Sequence, residues 1–277
     1  MSVSVEDQGP PGAPGGARLE TRQEIRQETP QDGWKSAWLA LAAAVAIVVL
    51  ATAAGFAATA VFDIWARIDE PRAYAAGEVE ALMTARVAAS LFAFQIVAVL
   101  LVFAADARLR RLGRPFLSFA MPEGGLRAFL VAVLALIVLA LVYASLVYGV
   151  DRAAFQHDLG PFAVMMQSRA WWLILIAAGI GAPLAEECLF RGMLYGSLRR
   201  SPVGLYGAAI VTAVLWALLH ANYSVYGLVA ITLIGLYLAY VRERTGSLLT
   251  SIVCHGAYNS LIVLMLAFAP GNALVAG

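Results

Sequence analysis

Two adjacent carboxylates are the first residues in this sequence that could do chemistry. Glu186 and Glu187 follow an uncharged run, residues 171–185, and precede Arg191. On a helix Glu187 and Arg191 share a face, so we expect them to form an ion pair. Glu186 points about 100° away around the helix, and a carboxylate left free in this way suits a general base acting on water. The alternative is that the span ends at Ala185 and the charges mark a solvated helix end.

Two of the three histidines also lie in apolar runs. His220 closes the run 208–219, one turn after Trp216, and His255 precedes Asn259 by one turn. The four-residue spacing places each pair on one helix face. A lone histidine in such a helix more often makes an interhelical hydrogen bond. Two histidines together with an intramembrane acidic pair indicate a functional site more strongly than either alone.

Two chemistries would use these groups. In the first, Glu186 and His220 activate a water, while His255 and Asn259 bind the oxyanion that forms at a peptide carbonyl. In the second, Glu186, His220 and His255 bind zinc, because three ligands and an open water position are the usual catalytic arrangement. The helix-borne HExxH spacing is absent, so the sequence carries no direct metal signature.

The composition indicates that membrane spans must position these groups. Hydrophobic residues make up 61% of the 277 residues and charged residues 13%, whereas a soluble domain has about 45–50% and about 25%. These values argue against a soluble enzyme and a disordered chain. The net charge of +1 argues against a nucleic-acid binder. Cys188 and Cys254 lie in apolar runs and form neither a disulfide framework nor a CxxC metal site.

The apolar runs predict an all-α, polytopic transmembrane bundle, since a span takes about 20 residues and open sheet edges cannot face lipid. We place about seven spans at 37–62, 85–105, 126–149, 170–198, 203–221, 224–241 and 247–268. Residues 1–36 are predicted to be a disordered or loosely helical tail, and residues 37–277 the bundle. Pro183 is expected to kink the fourth span. Residues 151–169 are expected to be a connector at headgroup level, with an interfacial helix or a lid as alternatives.

Basic residues in the short loops predict the orientation of the chain. The loop after the second span holds Arg108, Arg110, Arg111, Arg114 and Arg127. By the positive-inside rule this loop is cytoplasmic, so the N-terminal tail is expected inside and the C-terminus outside. The length and the lack of organelle signals favour a bacterial cytoplasmic membrane.

Three motifs carry a resemblance to a known family. EECLFRG, WALLH and HGAYN begin at residues 186, 216 and 255. They resemble the EExxxR, FxxxH and HxxxN motifs of the CAAX-protease and bacteriocin-processing (CPBP) intramembrane proteases, in the same order. The resemblance covers about residues 170–265, the expected protease core. Trp216 replaces the phenylalanine of the second motif and keeps an aromatic ring one turn from His220.

The resemblance implies an intramembrane endopeptidase acting on a peptide or protein in the bilayer, with no nucleic-acid partner. It assigns Glu186 and His220 to water activation and His255 and Asn259 to the oxyanion. The residues that shape the site would be Glu187 and Arg191. Such proteases have been described both as metal-dependent and as glutamate-dependent; we favour the second, with no cofactor, and keep zinc as the alternative. The competing hypothesis is a non-catalytic immunity protein, scaffold or transporter that binds an ion or a partner with the same polar cluster.

Overall fold

The computed structural model describes residues 30–69, 78–122 and 124–268. These residues form eight helices: α1 Pro30–Asp69, α2 Val79–Arg110, α3 Gly125–Val150, α4 Arg152–Met166, α5 Trp171–Leu198, α6 Gly204–Leu218, α7 Val225–Thr245 and α8 Leu248–Phe268. No strand occurs in these ranges. Six of the helices are long and apolar enough to cross a membrane, and α6 is a shorter apolar helix. The prediction of an all-α, multi-pass bundle of about seven spans is therefore confirmed.

The first helix begins earlier than the sequence suggested. It starts at Pro30, so residues 30–36, assigned to the tail by composition, are helical. Proline is favoured in the first turn because its missing N–H would have no partner there, and Asp32 adds an acidic group where the helix dipole favours one. The predicted disorder of residues 1–29 lies outside the described residues.

Helix α5 forms the centre of the bundle. Every residue from Cys188 to Tyr195 is buried, including the side chain of Arg191. The outer helices instead expose large apolar side chains, among them Trp38 and Phe56 of α1. Exposed apolar side chains are what a helix facing lipid requires, since lipid tails are as apolar as the side chains themselves.

The backbone of α5 departs twice from regular α-helical geometry. Residues 177–181 and 188–194 are π-helical, and they flank the α-helical turn that contains Pro183. Proline has no N–H to donate to the preceding turn. The helix around Pro183 is therefore interrupted by wide, π-helical turns on both sides but remains continuous. Single π-helical turns occur frequently at functional sites.

Helix α4 lies against the loop between α6 and α7. Asp151 caps its first turn by accepting from the Ala154 amide at 2.9 Å. Further along, Asp158 accepts from the amide and the hydroxyl of Ser224 at 2.6 and 2.7 Å. The segment expected to be a connector is thus largely helical, and one carboxylate holds it to the loop that follows His220.

Candidate active site

Trp216 lies at the centre of the candidate site. Its indole Nε1 donates a hydrogen bond of 2.6 Å to Glu186 Oε2. Its ring packs edge-on against both imidazoles, with centroid distances of 5.5 Å to His220 and 5.2 Å to His255. One buried side chain of α6 therefore contacts a carboxylate of α5 and histidines that lie after α6 and within α8. The three motifs of the sequence meet at this ring.

The predicted pair of Glu187 and Arg191 is present and lies deep in the bundle. Arg191 Nη1 is 3.1 Å from Glu187 Oε1, and both side chains are fully buried. The guanidinium also donates to the Gly235 carbonyl of α7 at 3.1 Å and lies 4.6 Å from the centre of the Trp216 ring. Arg191 thus ties α5 to α6 and α7. Glu187 Oε1 additionally contacts His255 Nδ1 at 3.0 Å, which ties α5 to α8.

The hydrogen bonds of the two histidines determine which ring nitrogen remains available. His220 Nδ1 lies 3.0 Å from the Trp216 carbonyl. Because a carbonyl only accepts, Nδ1 carries the proton and Nε2 of the neutral ring is an acceptor. His255 Nδ1 faces the Glu187 carboxylate and is a donor for the same reason. Its Nε2 is an acceptor in the neutral ring and a donor only in the imidazolium.

Asn259 joins α8 to the first π-helical turn of α5. Its Nδ2 donates to the Ala178 carbonyl at 2.9 Å, which leaves one amide hydrogen and the side-chain oxygen for other partners. The two helices approach closely here, because a Cβ at Gly256 would lie 2.6 Å from the Gly179 carbonyl oxygen. Asn259 is therefore a structural contact as well as a candidate oxyanion donor.

Exposure divides the site residues into two groups. Glu187, Arg191 and His255 are buried, whereas Glu186, His220 and Asn259 are half-buried. In the described part of the chain no direct hydrogen bond joins Glu186 to His220. Each of these two side chains contacts Trp216 instead. A small reactant would therefore meet Glu186, His220 and Asn259 more readily than the buried pair.

The structure does not bring the three candidate zinc ligands together as a metal site. These residues are Glu186, His220 and His255. Among residues 30–69, 78–122 and 124–268, no three His, Cys, Asp or Glu side chains come together as a metal site. Glu186 Oε2 accepts from Trp216, and Nδ1 of each histidine is engaged. These residues do not fit a zinc centre in this arrangement.

Tyr223 is a member of the site that the sequence analysis missed. Its ring lies 5.9 Å from that of His220. Burial raises the pKa of Tyr223 above its usual range, and nearby Tyr258, Asp158 and Glu186 add to the effect. A tyrosine phenol is protonated at neutral pH in any case, so this one can donate a hydrogen bond, and the raised pKa extends that state to higher pH. Its position three residues after His220, at a break in an apolar run, is the signal that could have found it.

Gln95 of α2 is a second residue that the sequence analysis missed. It is 5% exposed, and its Nε2 donates to the Ala177 carbonyl at 3.0 Å. Gln95 and Asn259 thus bind successive carbonyls of the same wide turn from two sides. The signal was a lone amide within an apolar span, where polar groups usually face the bundle interior.

Residues 168–261 match the family model described as Type II CAAX prenyl endopeptidase Rce1-like. The family resemblance is confirmed for this stretch. It contains all three motifs, together with α5, α6, α7 and the contacts of Trp216. At the level of the family, the match supports a membrane protease.

Two curated proteins are similar to parts of the chain. One is named "Putative membrane peptidase YdiL" and comes from Bacillus subtilis; it is 27% identical over 119 residues, which are 43% of this chain and 46% of that protein. The other, "UPF0177 protein YxdF" from Lactococcus lactis, is 31% identical over 81 residues, 29% of this chain and 43% of that protein. The chain thus spans less than half the length of these relatives. No solved structure matches it.

Proposed function

We propose that this protein is an intramembrane endopeptidase that hydrolyses a peptide bond of a substrate in the bilayer. The observation that carries the proposal is the contact of Trp216 with Glu186 and with both imidazoles. It supports a shared site because a base, a second proton acceptor and an oxyanion donor must all reach one peptide group. The family match over residues 168–261 supports the same reaction class.

In the proposed reaction Glu186 is the general base. Trp216 binds one of its carboxylate oxygens, and the other accepts a proton from water as the water oxygen bonds to the peptide carbonyl carbon. When the carbon–nitrogen bond breaks, the proton passes from Glu186 to the leaving amine. His220 orients the same water through Nε2, because its Nδ1 is held by the Trp216 carbonyl.

The proposed oxyanion donors are His255 and Asn259. Since His255 Nδ1 faces Glu187, a hydrogen bond from Nε2 to the oxyanion requires the imidazolium. The negative charge of Glu187 stabilises this imidazolium, and the same carboxylate also pairs with the Arg191 guanidinium. Asn259 contributes the amide hydrogen that does not bind Ala178. Donors placed before the reaction stabilise the developing charge without reorganisation at the moment of bond formation.

The test is cleavage of a mixed pool of membrane peptides by the full chain reconstituted in liposomes. We expect the wild-type protein to generate new peptide termini, detected by mass spectrometry, and Glu186→Ala to generate none. The matched control is Glu80→Ala, because Glu80 is exposed at the start of α2. Equal cleavage by Glu186→Ala and wild type would contradict the proposal. Absence of cleavage by every variant, including wild type, would favour the non-catalytic alternative.

Metal dependence is tested on the same preparation. Our proposal is a reaction without a cofactor, so a strong chelator should leave the rate unchanged. A zinc enzyme would lose activity with the chelator, regain it with added Zn²⁺ and purify with about one metal per chain. Such a result would contradict the metal-free mechanism while preserving the proposed peptidase activity.

A further inference from the structure

A basic cavity lies at the opposite end of α5 from Trp171. It has a volume of about 420 Å³, and its lining includes four arginines: Arg110, Arg199, Arg200 and Arg242. Its lining residues include no aspartate or glutamate among those the structure describes. No residue of the α5 motif, Glu186 to Gly192, is among its lining residues, and Arg191 is fully buried. The cavity is therefore separate from the candidate active site.

Two of the lining arginines pair with carboxylates that lie beside the cavity. Asp106 pairs with Arg110 at 2.8 Å, and Glu243 pairs with Arg199 at 2.6 Å. Neither of these two carboxylates lines the cavity itself, so its lining stays basic. Arg242 donates from Nη1 to the Gly246 carbonyl, while its Nε is buried and has no protein partner among the described residues. Because a guanidinium carries five N–H donors, Arg110, Arg199 and Arg242 can each bind an anion in addition to these partners.

The cavity lies where spans end, at the level expected for lipid headgroups. Arg110 is the last residue of α2, Arg199 and Arg200 follow α5, and Arg242 is in the last turn of α7. The adjoining loop, residues 111–122, exposes apolar side chains; these are Leu112, Phe119 and Met121. Apolar side chains next to arginines match the two parts of a lipid, an acyl chain and a charged headgroup.

We propose that this cavity binds the phosphate headgroup of an anionic membrane lipid. Guanidinium groups bind phosphate oxygens through paired, charge-assisted hydrogen bonds, and basic pockets between the ends of spans are suited to anionic headgroups. The exposed apolar loop favours a lipid over a free phosphate ion. This inference is independent of the proposed peptidase activity.

The test measures binding of dioctanoyl phosphatidylglycerol to the full chain in a neutral detergent. Dioctanoyl phosphatidylcholine and inorganic phosphate are the comparison probes. We expect the anionic lipid to bind more tightly than either, and to bind less tightly as salt increases, because salt screens the attraction. If phosphatidylcholine binds as tightly as the anionic lipid, the negative charge of the headgroup does not determine binding, and the proposal is contradicted. Binding of inorganic phosphate as tight as that of the lipid would overturn the assignment to a lipid.

Gly196 offers a matched pair of variants. It lines the cavity, and a Cβ built there meets no atom within 4 Å. Gly196→Asp should weaken binding of the anionic lipid about fivefold, as one opposing charge near a headgroup predicts, whereas Gly196→Asn, of the same size, should weaken it much less. Equal weakening by both variants would contradict the proposal. Arg242→Gln should also weaken binding about fivefold, whereas Arg169→Gln, at the far end of α5, should not.

Discussion

Replacing Arg191 with methionine should destabilise the whole bundle. The change leaves the fully buried Glu187 carboxylate without its guanidinium partner, and breaking a buried pair in this way costs about 3–5 kcal/mol. The hydrogen bond to the Gly235 carbonyl and the contact with the Trp216 ring are lost as well. For a chain of this size, each kcal/mol corresponds to about 2–4 °C in Tm. We therefore expect Tm to fall by roughly 6–20 °C.

The assay is thermal unfolding in detergent, followed by tryptophan fluorescence, for Arg191→Met, Glu187→Gln and the double variant. The double variant should be more stable than the sum of the two single changes predicts, because neither charge is left buried without its partner. A strongly non-additive cycle is thus the expected signature of the pair. An unchanged Tm in Arg191→Met together with lost activity would refute the reasoning and place Arg191 in the chemistry.

Two further substitutions test the positioning of the proposed catalytic groups. Trp216→Phe keeps an aromatic ring but removes the donor to Glu186. A hydrogen bond to a charged group contributes about 1.5–3 kcal/mol, so Tm should fall by roughly 3–12 °C, and if this bond positions the base, kcat/KM of the folded variant should fall about 10- to 100-fold. Unaltered kinetics would contradict this role of the indole. Asp158→Asn weakens the charged contact of α4 with the loop after His220. Amide hydrogen exchange of residues 219–224 should therefore become faster than in the wild type. Exchange at the wild-type rate would show that α4 does not hold that loop.

The local features of the fold could be predicted from the sequence. Apolar runs gave the helices, because a span needs a length of apolar residues that no other element requires. The pair of Glu187 and Arg191 followed from its four-residue spacing, since both residues lie on one helix. The start of α1 at Pro30 could not be located by composition alone, because the first turn of a helix can be polar.

The contacts between helices could not be predicted, because nothing in the local spacing sets them. His255 contacts Glu187 across 68 positions of the chain, and Trp216 contacts Glu186 across 30. Pro183 indicated a disturbed helix, but not that Asn259 would bind a carbonyl of the turn before it. The second motif suggested only an aromatic ring near His220. The hydrogen bond from its indole depends on how α6 packs against α5.

The most direct test of the central claim is the single-turnover rate of Glu186→Gln on a peptide cleaved by the wild-type protein. Glutamine keeps a side-chain oxygen that can accept from Trp216 Nε1, but it cannot take a proton from water. If Glu186 is the general base, the rate should fall about 10²–10⁴-fold while Tm and substrate binding stay close to those of the wild type. A rate equal to that of the wild type, in a variant that is fully folded, would contradict the account.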